Sequence, residues 1–129
     1  MIVTKDIEQI LVQDLSRIMD VSQIFTGDDY PEGEITEERI VIRAKNLTPH
    51  TYFKKCFVEV NWCVPDIGNA PDSIRLQKVE RQMVEYLSSI GEYDESTYRY
   101  EVNSHQSLKG DLKYHYINVR LLFEILNVL

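Results

Sequence analysis

The sequence predicts a fold of the α+β class, in the order α-β-β-α-β-β, with a mainly antiparallel twisted sheet and two helices packed on one face. Apolar residues recur at three- and four-residue steps in two stretches, the period of a helix with one buried side. In four other stretches they fall at every second position, the period of a half-buried strand. The chain has 129 residues, which predicts a single domain over 1–129, because domains hold roughly 100–200 residues.

The first helix is expected from about Thr4 to Asp20, with Ile7, Ile10, Leu11, Leu15, Ile18 and Met19 on one face. Thr4 is the expected N-cap, with Asp6 and Glu8 near the positive end of the helix dipole. Gln23 to Glu38 reads as a loop containing Gly27, Pro31 and Gly33. Its acids, Asp28, Asp29, Glu32, Glu34, Glu37 and Glu38, have no base among them, so the segment 28–38 reads as solvated and mobile. A calcium loop would need a regular ligand spacing that these acids lack.

A strand is expected over Arg39 to Lys45, with Ile40, Ile42 and Ala44 alternating against Arg39, Val41 and Arg43. Asn46-Leu47-Thr48-Pro49 is a turn signal. A longer strand follows from about Tyr52 to Val64, with Cys56, Val58, Val60, Trp62 and Val64 inward and Lys55, Phe57, Glu59, Asn61 and Cys63 outward. Adjacency and a short linker make these two a hairpin. After the loop Pro65 to Pro71, Asp72 or Ser73 caps a second helix running to about Ile90. Its stripe is Leu76, Val79, Met83, Leu87 and Ile90, and Gly91 is its expected stop. A second hairpin closes the order. Thr97 to Asn103 alternates Tyr98, Tyr100 and Val102 against Arg99, Glu101 and Asn103. Ser104 to Asp111 makes the turn with Gly110 as its flexible position, and Lys113 to Ile125 carries Ile117, Val119, Leu121, Phe123 and Ile125 on one face. Leu122 and Leu126 break that alternation, so this stretch is either buried on both sides or covered by a partner.

Lys and Arg number 14 against 21 Asp and Glu, a net charge of −7. Tight binding to a nucleic-acid backbone depends on clustered Lys and Arg that displace counterions, and this balance argues against it. No apolar run approaches the ~20 residues that span a bilayer, so no membrane partner is expected. The stretch MIVTKDIEQILVQDLSRIM carries no leader-like apolar region. Cys56 and Cys63, on opposite faces of one strand, lie roughly 23 Å apart at about 3.3 Å per residue. A disulfide needs Cα atoms within about 7 Å, so the thiols are free, as in a reducing cytoplasm.

No residue is assigned a catalytic, cofactor-binding or metal-ligating role, and no cofactor is expected. The five glycines, Gly27, Gly33, Gly68, Gly91 and Gly110, form no phosphate-binding loop. His50, His105 and His115 show no paired ligand spacing and read as exposed polar residues, although the last two flank one hairpin and could approach each other. Cys56 falls on the apolar face, where burial makes a thiol inert, and Cys63 has no neighbouring His in sequence. A metal-dependent nuclease would need clustered acids with a Lys. Glu59 is followed by Asn61 rather than Lys, and Asp66 stands at the strand end. Tyr93, Tyr98, Tyr100, Tyr114 and Tyr116 form an aromatic group on the C-terminal hairpin. Glu101 and Asp111 offset Arg99, Lys109 and Lys113 there, so cross-strand pairing or a protein–protein surface fits better than a platform for single-stranded nucleic acid.

In order and length of elements, the chain resembles the small tail-completion, or tail-terminator-like, proteins of tailed bacteriophages and prophages. The likeness rests on IEQILVQDLSRIM, the irregular loop IFTGDDYPEGE, the strands RIVIRAK and YFKKCFVEVNWCVPD, the helix DSIRLQKVERQMVEYL and the final strand YHYINVRLLFEILNV. It covers nearly the whole chain and is a likeness of pattern, not of an invariant motif. Where many of these proteins carry a longer aromatic–proline run, only Tyr30-Pro31 stands here. The resemblance implies a non-enzymatic subunit, made in the cytoplasm of a bacterial host and assembled into a virion or tail-like particle. It implies a homo-oligomeric ring, often a hexamer, contacting tail-tube and head–tail connector proteins. The alternative is a small α+β protein-binding adaptor without catalytic activity.

Overall fold

A computed structural model of the chain describes residues 1–90 and 97–126. Helix α1 spans Thr4–Leu15, and a 3₁₀ turn at Val21–Gln23 leads into a short strand β1, Ile24–Thr26. There follow β2 (Arg39–Pro49), β3 (Phe53–Pro65), α2 (Ser73–Ile90), β4 (Tyr98–Lys109) and β5 (Tyr114–Leu126). The predicted order therefore holds for the main elements, with β1 added inside the segment expected to be loop. The sheet runs β1-β2-β3-β5-β4. β1 pairs parallel with β2, and all other neighbours are antiparallel.

Both helices cover the same face. Ile7, Leu11 and Leu15 of α1 and Leu76, Val79, Met83 and Leu87 of α2 are buried in one cluster with Ile40, Ile42, Val58, Val60, Trp62, Ile117, Val119, Leu121 and Phe123. Each such side chain withdrawn from water contributes about 1.5–3 kcal/mol, so the shared layer fixes both helices to the sheet. Ile90 is half-buried at the end of the α2 stripe, and the expected stop at Gly91 lies outside the described residues.

Several boundaries differ from expectation for identifiable reasons. The α1 N-cap is Val3, whose backbone N–H donates to Asp6 Oδ2 at 2.9 Å; Thr4 is already helical. The helix ends at Leu15, five residues before the expected Asp20, and Asp20 instead accepts from Ser22 N at 2.9 Å. Such local side-chain bonds compete with helical ones. β1 is too short for periodicity to reveal, and Gly27, at φ +60°, ends it.

Both hairpin turns sit farther along the chain than the turn-forming residues suggest. Asn46–Pro49 remains in β2 because a bulge between Ala44 and Leu47 absorbs the irregularity. The chain reverses instead beyond Pro49, where His50 N donates to Phe53 O at 2.8 Å. Likewise Ser104–Lys109 is strand, not turn, and a bulge between Val102 and Ser104 restores register with β5. β4 lies at the edge of the sheet, where a polar strand is tolerated, and composition alone reads such a strand as loop. Of the turn residues, Lys113 takes the left-handed conformation at φ 54°, whereas Gly110 meets a steric demand: a Cβ there would come 2.2 Å from the Tyr114 ring.

The acidic segment is not simply solvated. Ile35 is buried, and Glu38 accepts from Trp62 Nε1 at 2.9 Å and from Arg75 Nε and Nη2 at 2.7 and 2.8 Å. Arg43 pairs with Asp28, and Lys113 lies 3.9 Å from Glu34. The bases missing from the local sequence thus arrive from β2, α2 and the last turn.

Candidate functional site

On the helix side of the sheet, polar groups tie elements together. His115 Nδ1 lies 2.7 Å from Asp66 Oδ1, and His105 Nδ1 lies 2.5 Å from Glu80 Oε2 on α2. His105 is exposed, as expected, though paired with Glu80; His115 is half-buried, so the expectation of an exposed residue needs correction there. Nor do they approach each other: His105 faces Val119 and His115 faces Lys109, about 13 Å apart along the strand. His50 is exposed and stacks on Phe53, with ring centroids 4.9 Å apart.

The tyrosines divide between the two faces. Tyr98 and Tyr100 stack on Phe123 on the helix side, at 5.3 and 5.5 Å, which is the cross-strand packing expected of such residues. Tyr100 donates from its hydroxyl to Asp14 Oδ2 at 2.6 Å, and Tyr86 donates to Asp14 O. Burial and the Asp14 carboxylate hold the Tyr100 phenol far above its ordinary value, so it remains a donor. Tyr114 and Tyr116 lie on the opposite face as a tilted pair 6.3 Å apart. The four described tyrosines therefore do not share one platform, and Tyr93 lies outside the described residues.

Glu59 faces away from the helices and lies 3.6 Å from Lys45 Nζ. Asp66 is engaged with His115, so the two acids share no site. Among the described residues no group of three or more His, Cys, Asp or Glu could hold a metal ion. Cys56 is buried in the core, with its Sγ 3.3 Å from Lys45 O at the β2 bulge. Cys63 is also buried, and burial pushes its thiol up to about 11 against the opposing effect of Arg39. Neither is a nucleophile at neutral pH.

Two features of the sheet remain unabsorbed by its own packing. The first is its edges. β4, with twelve residues, is terminal in the sheet and exposed over most of Ser104–Lys109. At the other side, β1 pairs only with Ile40–Ile42, so β2 from Ala44 outward meets no further strand among the described residues. One amide there is satisfied by α1, since Ala44 N donates to Glu8 Oε2 at 3.0 Å. Glu8 is itself buried and lies 3.0 Å from Lys5 Nζ.

The second feature is a pocket of about 180 Å³ on the face away from the helices. β2 supplies Arg39, Val41 and Arg43 to it, β3 supplies Asn61 and Cys63, and β5 supplies Tyr114 and Tyr116. Tyr30 from the acidic segment and Lys109, Gly110 and Asp111 from the last turn complete the wall. The period of two places these strand residues on one face, but the pocket was not foreseen: its walls come from segments distant in sequence. The only signal for it was a run of polar and aromatic residues on the outward side of strands whose inward side is apolar.

Comparison with protein-family models finds none that matches this chain, and comparison with curated proteins finds no significant match. No helix among the described residues is long and apolar enough to cross a membrane.

Proposed function

We propose that the protein is a non-enzymatic structural subunit that assembles through its sheet edges into a ring, as a tail terminator, tail-completion or head–tail joining protein of a phage or prophage would. The observation carrying this reading is the twelve-residue edge strand β4, exposed along its distal half and joined to a long partner, β5, in a hairpin. A free strand edge is a template for pairing with another chain, and natural monomers usually shorten, charge or cover it. An open edge at each side of the sheet also permits head-to-tail contacts, which close into rings. The net charge of −7 suits a lumen through which DNA passes without adhering, by like-charge repulsion. In this reading the subunit is made in the host cytoplasm and takes tail-tube and connector proteins as partners.

The test is the molar mass by light scattering over a concentration series, alone and with tail tubes. Concentration-dependent closed oligomers are expected. A Ser104→Lys, Gln106→Lys variant, which charges two exposed β4 positions, should reduce association at least ~10-fold, a cost of about 1.4 kcal/mol. A strict monomer at all concentrations, inert towards tubes, would overturn the ring reading and favour a monomeric adaptor.

A further inference from the structure

Among the described residues, Arg39 is a buried charge without a counter-charge. It is 6% exposed, yet among the described residues no carboxylate lies within ion-pair distance of it. Its guanidinium donates from Nη1 to Pro31 O at 2.9 Å and lies against the Cys63 thiol, a weak neutral acceptor, while its Nε is buried with no hydrogen-bond partner. Arginine is rarely buried unless paired, because withdrawing an ion from water is costly without a counter-charge. Other buried or partly buried charges here follow that rule: Glu8 has Lys5 and Ala44 N, and Glu38 has Arg75 and Trp62. Arg39 has aromatic faces instead, with Tyr30 at 4.9 Å and Tyr114 at 5.8 Å from the guanidinium carbon to the ring centroid. Such packing fixes the guanidinium plane and orients its donors, leaving the charge unneutralised.

Arg39 also lines the open pocket, together with Arg43, Lys109 and Asn61. We propose that this pocket binds a small molecule bearing one carboxylate, with Arg39 as the principal ligand-binding residue. A carboxylate supplies the missing counter-charge, and the planar guanidinium is the cation best suited to receive it. Lys109 adds a second cation at the rim. Arg43 is already engaged by Asp28, and Asp111 in the wall disfavours a doubly charged ligand such as phosphate. Tyr116 and Tyr114 offer flat apolar surface beside the charge, which favours a carboxylate on an aromatic or other planar body. The pocket's space of about 180 Å³ admits such a ligand. The proposal is independent of ring assembly, since the pocket lies on the sheet face and not along the β4 edge.

The test is titration of the full chain with sodium benzoate, followed by two-dimensional amide NMR, with inorganic phosphate as the comparison anion. Saturable shifts are expected at the Asn61 side-chain amide and the Lys109–Asp111 backbone, with half-saturation below ~5 mM, and weaker shifts with phosphate. Arg39→Lys keeps the charge but loses the fork and should weaken binding about 10-fold or more. Lys109→Gln, at an exposed position that does not threaten the fold, should weaken it roughly 3-fold with an otherwise native spectrum. Shifts that stay linear to ~20 mM in the wild-type protein would overturn the proposal. So would phosphate binding more tightly than benzoate, or Lys109→Gln leaving the benzoate curve unchanged.

Discussion

Glu38 shows how the physical role of one carboxylate depends on residues far away in sequence. It lies in an acidic run with no local base, yet it is held between the indole of Trp62 on β3 and the guanidinium of Arg75 at the start of α2. Partial burial works to raise its pKa, but the hydrogen bonds from Arg75 and Trp62 and the Arg75 charge outweigh it and leave it below its ordinary 4.5. A carboxyl with a lowered folded-state pKa contributes stability that is fully present above the unfolded value and is lost as pH falls through the folded one. Glu38→Gln should therefore lower unfolding free energy by about 1 kcal/mol near neutral pH, a modest figure because the pair is partly solvated. That gap should narrow as pH falls below the ordinary value and close once pH has passed below the lowered folded-state one, where the wild-type carboxyl is also protonated. Urea unfolding of both proteins at neutral and acid pH reads this directly, and a gap that persists in acid would assign the effect to packing.

At the scale of elements, the hairpin between β4 and β5 turns on a steric fit. Gly110 N donates to Tyr114 O at 2.9 Å, and the Tyr114 ring occupies the space where a side chain at 110 would begin. Gly110→Ala should cost about 1–3 kcal/mol, the usual penalty of overpacking. In a Tyr114→Ala background the same change should be close to neutral, a coupling that a double-mutant cycle by thermal or urea unfolding would measure. Equal costs in both backgrounds would show that the ring is not what excludes a side chain there. This turn also marks the limit of what sequence reveals about elements. The α2 stripe and the inward faces of β3 and β5 were legible because a periodic pattern reports one buried face. The ends of β2 and β4 were not, because Asn, Ser, His and Gln in an exposed strand resemble loop residues, and a bulge shifts the turn without leaving a compositional trace. β1 was hidden by its length, since three residues cannot display a period. The pocket was illegible for another reason: Arg39 looks like any outward strand residue until the acidic segment folds Tyr30 over it.

For the whole molecule, the balance between edge pairing and charge decides whether copies associate. Each subunit carries −7 at neutral pH, and closing several into a ring brings those charges within a few tens of ångströms of one another. Backbone pairing along β4 is short-range and nearly indifferent to salt, whereas the repulsion is screened over about 10 Å at 0.1 M ionic strength and about 3 Å at 1 M. If edges drive assembly, raising sodium chloride should strengthen it, shifting the light-scattering midpoint to lower protein concentration. If cross-subunit ion pairs drive it instead, using exposed groups such as Lys78 and Arg81 on α2 against acids of a neighbour, salt should weaken it. The two mechanisms predict opposite signs for one slope. The acidic surface sets the threshold concentration for assembly, while the strand edges set the geometry of contact, so charge-neutralising substitutions such as Glu32→Gln with Glu37→Gln should promote association without altering the oligomer formed.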